Sequence, residues 1–198
     1  MLVFWNQNLV FLSVPKTGTT AMEATMAPFA DIVISHPPEL KHAPLYRYNR
    51  FIQPMFERVC KRDDMETMAV VREPISWLGS WFRYRKREGI RGHPNSTHDL
   101  SFDDFVQAYM QPKSPPFAKV GSQVRFLEPN KKGKKINHLF RYDKQEKLRE
   151  FLENRLERKL NFQRRNVSPK LNLFLSQETE AKLRRKFYAD FALYESIL

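Results

Sequence analysis

Residues 10–23 read VFLSVPKTGTTAME. An apolar segment, residues 9–14, runs into a Pro-Lys-Thr-Gly-Thr-Thr turn and then into residues that suit a helix. A strand, a tight turn and a helix start together make an anion site. The first backbone N–H groups of a helix have no intrahelical partner, and the helix dipole is positive at that end. Gly18 allows close backbone approach, and either Thr19 or Thr20 is placed to cap the helix that Ala21, Met22, Glu23 and Ala24 begin. Phosphate, or a group shaped like it, is the guest this order suits; an ordinary strand-to-helix turn with a surface lysine would read the same over six residues.

Outward from that stretch, the chain alternates between the two periodicities. Residues 2–5 form a short strand, at the edge and paired to 9–14 across Asn6-Gln7-Asn8. A helix is expected over 20–29, a short strand over 31–35 ending at His36-Pro37-Pro38, and a helix over 44–61 with Pro54 as a kink. Glu66–Val71 (ETMAVV) reads as a buried strand, followed by Glu73-Pro74 as a helix cap with proline at the first helical position. Ser101 and Asp104 form a capping-box pattern ahead of a helix beginning near Phe105. Residues 121–127 are helical, 136–142 (INHLFRY) are the last strand, and helices cover 144–160 and 176–198. Strands alternating with helices predict an α/β fold with a parallel sheet and ligands at the carboxyl ends of the strands. That arrangement puts PKTGTT, His36 and Arg72 along one edge, because each directly follows a strand.

The 198 residues suit a single domain, 1–198, with a sizeable core. One cysteine, Cys60, leaves no internal disulfide. No apolar run suggests a membrane span, and the start MLVFWNQN lacks the basic region of a signal peptide, so a cytoplasmic protein is expected. The formal net charge is +12, from 34 Lys and Arg against 22 Asp and Glu. Such an excess favours polyanionic partners: a nucleotide, a nucleic acid or an acidic glycan. The basic runs RYRKREGIR (83–91), KKGKK (131–135) and KLRRK (182–186), with the arginines at 155, 158, 164 and 165, are scattered, and each alone fits a solvated face.

The nucleotide-binding P-loop needs four residues between two glycines and then Lys and Ser/Thr. Here Lys16 precedes the only glycine of the turn, and no apolar strand ends in an acid placed to hold magnesium. A second half of the site lies further on. Arg72 ends the ETMAVV strand and Ser80 follows eight residues later on the next helix, so that a guanidinium fork and a neutral hydroxyl could serve one phosphate.

PKTGTT after a buried strand, followed by VVREPISWLGSWF, resembles the sulfotransferases that use 3′-phosphoadenosine-5′-phosphosulfate (PAPS). HLFRYDKQEKLREFL, NVSP and FYADFALYESI add weaker likenesses to the branch related to carbohydrate sulfotransferases, including bacterial members. Residues 83–135 match loosely. The resemblance implies a P-loop-like three-layer fold with a central, mostly parallel sheet flanked by helices. It implies that Lys16 binds the phosphosulfate and steadies the leaving phosphate oxygen, that Thr17, Gly18, Thr19 and Thr20 hold the 5′-phosphate, and that Arg72 and Ser80 hold the 3′-phosphate. It requires no metal, because the transferred group carries less charge than a γ-phosphate.

The acceptor hydroxyl needs a base, and imidazole suits one working near neutral pH. His36 and His42 are the candidates, His42 favoured because Lys-His ahead of a helix looks like related bacterial sequences; His93, His98 and His138 follow. Lys41 and Gln123 are candidate acceptor contacts, and Asn166 and Ser168 could close over the nucleotide. The reading is a sulfotransferase acting on a hydroxyl of a carbohydrate or polar metabolite, with the basic loops suiting an acidic glycan. The alternatives are a nucleotide kinase of the P-loop type and a non-enzymatic nucleic-acid-binding module. The latter leaves Lys16 and the Arg72/Ser80 spacing unexplained, and its aromatics fall at core spacing without the stacking pattern of single-strand binders.

Overall fold

In the computed structural model, residues 1–131, 133–162 and 171–198 are described. The elements begin with β1 (Leu2–Phe4), β2 (Leu9–Leu12), α1 (Thr19–Met26), β3 (Ile32–Val33), α2 (Pro38–Lys41), α3 (Leu45–Arg47) and α4 (Gln53–Arg58). They continue with β4 (Glu66–Val71), α5 (Pro74–Arg85), α6 (Phe102–Tyr109), α7 (Gln123–Leu127), β5 (His138–Arg141), α8 (Gln145–Leu156), α9 (Gln177–Lys186) and α10 (Tyr188–Glu195). The chain divides into two compact units, Met1–Arg72 with Gln123–Asn166 and Ile197–Leu198, and Glu73–Ser122 with Val167–Ser196.

The first unit is a mixed five-stranded sheet, order β3-β1-β2-β4-β5, flanked by helices. β2, β4 and β5 are mutually parallel, with Leu12 opposite Ala69 and Val71 opposite Arg141. β1 runs antiparallel to β2 and is not an edge: β3 pairs with its other side, Leu2 opposite Val33. The reversal uses Asn8, whose φ of 53° lies in the left-handed region that asparagine tolerates. Because β3 is antiparallel to β1, it points the same way as β2, and the carboxyl ends of four strands share one edge.

Strand alternation then sets the layers. Leu2, Phe4, Leu9, Phe11, Met68 and Val70 occupy one face and pack with Met22 and Met26 of α1 and with Leu148, Leu152 and Leu156 of α8. Fully burying each such leucine contributes roughly 1.5–3 kcal/mol. On the other face the ring of Trp5 meets Phe56 of α4 edge-on, centroids 5.4 Å apart.

The helix expected over 44–61 is interrupted. A π turn, Tyr48–Ile52, separates α3 from α4. Pro54, in the first turn of α4, has no N–H to give the carbonyl four residues back, and the wider turn accommodates the missing bond. The expected strand at 31–35 shortens to Ile32–Val33, because β1 offers only three residues to pair with.

The second unit packs α5, α6, α9 and α10 around Trp77, Leu78, Phe82, Phe102, Phe105, Val106, Leu183 and Phe191. Its helix starts follow the sequence rules. The Glu73 carboxylate accepts from the N–H groups of Ile75 at 3.1 Å and Ser76 at 2.7 Å. Ser101 and Asp104 form the reciprocal box, with Asp104 N–H donating to the Ser101 hydroxyl at 3.1 Å and Ser101 N–H to the Asp104 carboxylate at 3.3 Å. The expected single helix over 176–198 is two, α9 and α10, broken at Phe187.

Candidate functional site

Three adjacent parallel strands of the first unit deliver the site. β2 leads into the PKTGTT loop, β4 ends just before Arg72, and β5 ends just before Tyr142.

The loop is shaped by two residues in the left-handed region, Lys16 at φ 68° and Gly18 at φ 80°. Left-handed backbone costs an L-residue with a Cβ roughly 1–2 kcal/mol, so at Lys16 the surroundings must hold the loop in place. Buried Thr17 contributes by donating its hydroxyl hydrogen to the Val14 carbonyl at 2.9 Å. Left-handed residues in a strand-to-helix turn are where concavities of successive backbone N–H groups that take anions form. Gly18 itself is the N-cap of α1, with no side-chain cap, and no acidic residue stands in the first turn. The cap expected from Thr19 or Thr20 is therefore absent. The chain enters the helix from a left-handed residue, so Thr19 is already helical and buried, while Thr20 is exposed.

Gly18 is also required by its neighbour. A Cβ built there would lie 3.0 Å from Cε2 of Tyr142. The same ring carries the Arg72 guanidinium, 4.6 Å from its centroid. Arg72 Nη1 donates to the Lys16 carbonyl at 3.3 Å, joining the two halves of the motif within this unit. Gln123, expected as an acceptor or cofactor contact, is 1% exposed and spends its amide on the Arg72 backbone. Its Oε1 accepts from Arg72 N–H at 2.9 Å and its Nε2 donates to Arg72 C=O at 2.7 Å.

His42 stands beside the loop at the carboxyl end of α2. Its Nδ1 lies 2.6 Å from the carbonyl oxygen of Ser13. A carbonyl only accepts, so Nδ1 carries the proton and Nε2 keeps the lone pair. Burial pushes the His42 pKa below the ordinary histidine range; the Ser13 carbonyl and Glu23 oppose that shift, and Lys41 and the Met1 amino group add to it. His42 is thereby a neutral imidazole near pH 7.

Lys41, the other expected acceptor contact, pairs with Glu23 of α1 at 2.5 Å, and the Ser13 hydroxyl donates to the same carboxylate at 2.8 Å. Glu23 was visible in the sequence only as a helix-forming residue, because its partners lie 10 and 18 positions away.

His36 is exposed and follows β3, which sits two strands from β2, on the same edge but further out. His138 opens β5 at the opposite edge, with Nε2 3.0 Å from the Glu66 carboxylate. His98 pairs with Glu88 at 2.8 Å, and His93 Nδ1 accepts from Asn95 N–H, both in the second unit. Ser80 is buried on α5 of the second unit. Asn166 and Ser168 lie outside the described residues.

The basic runs are largely engaged within their own units. Arg85 Nη1 donates to the Pro116 carbonyl at 2.6 Å, and Lys86 Nζ to the His98 carbonyl at 2.7 Å, with those of Thr97 and Leu100 also in reach. Arg87 lies over the Tyr84 ring at 3.7 Å. Lys134 pairs with Glu57 at 3.3 Å and its carbonyl accepts from Asn49 at 2.8 Å. Compared with models of known families, with curated proteins and with solved structures, the chain matches none of them.

Proposed function

We propose that the chain is a sulfotransferase that moves a sulfuryl group from PAPS to a hydroxyl acceptor, a carbohydrate or other polar metabolite, on a P-loop-like α/β scaffold. The observation that carries the reading is the strand–loop–helix in which Lys16 and Gly18 are both left-handed and Arg72 is bonded to the Lys16 carbonyl. Lys16 and Arg72 follow neighbouring parallel strands, and the turn between strand and helix has the left-handed residues that suit an anion. This donor set suits a ligand with two separated phosphate groups.

The residues present fit that ligand. Lys16 with Thr17, Gly18, Thr19 and Thr20 would hold the 5′-phosphosulfate end, and Arg72 the 3′-phosphate; Ser80 enters from the resemblance alone. When bound, the donor supplies the sulfuryl group and leaves as the 3′,5′-bisphosphate. The Lys16 ammonium and the loop N–H groups oppose the negative charge that develops on the bridging oxygen, a contribution of about 2.7–4 kcal/mol for one fixed donor. Neutral His42, with its Nδ1 proton held by the Ser13 carbonyl, offers Nε2 to take the acceptor proton. Glu23 neutralises Lys41 beside it. Arg85, Lys86 and Lys134 have partners in the fold, so an acidic glycan as acceptor rests on the remaining charges of those runs.

Release of the bisphosphate from PAPS, measured across a panel of hydroxyl acceptors, tests the reading. Turnover with at least one acceptor is expected, falling roughly 100-fold or more in Lys16→Ala with the melting temperature little changed. Full activity in Lys16→Ala would refute the assigned role. Phosphoryl transfer from ATP with magnesium in place of sulfuryl transfer would make the protein a kinase.

A further inference from the structure

The stretch from α3 through the π turn to α4 has an outward face of one character. Its buried positions are Leu45, Tyr48, Asn49, Gln53 and Phe56, at helical spacing. Its exposed positions over the same span, together with the adjoining Val59, are Tyr46, Arg50, Phe51, Met55, Arg58 and Val59. Four of these six are apolar, two are arginine and none is acidic. Phe51, Met55 and Val59 are 63%, 48% and 75% exposed and recur every four residues, so they form one stripe. The arginines flank it: the Arg50 guanidinium lies 5.2 Å from the Phe51 ring centroid. Glu57, the one acid of the span, is held by Gln53 Nε2 at 2.6 Å and by Lys134 at 3.3 Å.

An apolar stripe flanked by two arginines, on a chain of net charge +12, complements a surface that is apolar below and anionic at its rim. We propose that this face docks the protein on an anionic lipid bilayer, with the helix lying in the interface plane. Phe51, Met55 and Val59 enter the acyl boundary while Arg50 and Arg58 meet the headgroup phosphates. No helix among the described residues is long and apolar enough to cross a membrane.

The test is co-sedimentation with vesicles of phosphatidylcholine alone and of phosphatidylcholine mixed with phosphatidylglycerol. The full chain is compared with Phe51→Ser/Met55→Ser/Val59→Ser, which keeps the charge, and with Arg50→Gln/Arg58→Gln, which keeps the stripe. Binding to the anionic vesicles is expected, weaker by roughly tenfold or more on the neutral ones and in either variant. All replaced side chains are exposed, so unchanged melting temperatures should accompany the loss. Undiminished binding of the serine variant would mean that the general charge of the chain is responsible, and would overturn the proposal. So would absence of binding to both vesicles. A dimer of the full chain that becomes a monomer in the serine variant, with no vesicle binding, would assign the face to contact between copies instead.

Discussion

Two regions of this chain suggest anion binding when read as sequence and differ as structures. PKTGTT carries one lysine and residues 83–91 carry five Lys and Arg, yet it is the first that stands in a turn whose left-handed residues suit an anion. In the loop, Lys16 and Gly18 are left-handed, and Arg72 is braced by Gln123 and Tyr142. In the basic run, Arg85 and Lys86 reach back to main-chain carbonyls and tie the loop to α5. The proposed anion site thus rests on donors held in place and not on the number of cations in the neighbourhood.

The contrast can be broken first at Gly18. Gly18→Ala puts a Cβ 3.0 Å from the Tyr142 ring at a φ of 80°, and should lower stability by about 1–2 kcal/mol while weakening bisphosphate affinity. Denaturant unfolding and ligand titration read the two effects, and unchanged affinity would show that the loop is only a turn. Next comes Lys86→Met, which removes the ammonium from three carbonyls and should cost about 1–2 kcal/mol with bisphosphate affinity unchanged. Loss of affinity without loss of stability would reverse the contrast and restore the run as a ligand surface.

The smallest effect concerns pH. The folded-state pKa of His42 is lowered by burial, so below its ordinary value of 6.5 the unfolded chain binds the proton first and stability falls as pH falls. His138 shifts in the same direction for the same reason. Unfolding of His42→Gln between pH 7 and pH 5 should show a shallower decline than the parent. With His42 as the proposed base, working in its neutral form, turnover of the parent should hold up below pH 6.5 and then fall. A rate that rises as pH falls through that window would remove His42 as the base.

Local chemistry was legible in the sequence and long-range pairing was not. The bounds of β4, the Glu73 cap and the Ser101/Asp104 box follow from neighbouring residues and stand where the sequence puts them. The place of β1 inside the sheet depends on β3, a two-residue strand whose pairing no periodicity reveals. The π turn needed the missing N–H of Pro54 combined with burial on both sides of it. For the site, the spacing of Lys16, Gly18 and Arg72 pointed to one edge. The Tyr142 ring beside Arg72 follows from β4 and β5 meeting in parallel, and the Gln123 amide reaches the Arg72 backbone from a helix 51 positions on; neighbouring residues show neither contact, nor the left-handed φ at Lys16. The strand predicted over 136–142 has Tyr142 as its last residue; in the structure β5 ends at Arg141 and Tyr142 follows it. Nothing local marked Gln123 as a brace.

The most direct measurement is a thermal-shift titration with 3′-phosphoadenosine-5′-phosphate, run beside ATP with and without magnesium. Ligand at about 100 times its dissociation constant adds roughly 2.7 kcal/mol of stability. The account predicts metal-independent stabilisation by the bisphosphate that is lost in Arg72→Ala. Stabilisation by ATP with magnesium alone, or by neither ligand, would contradict it.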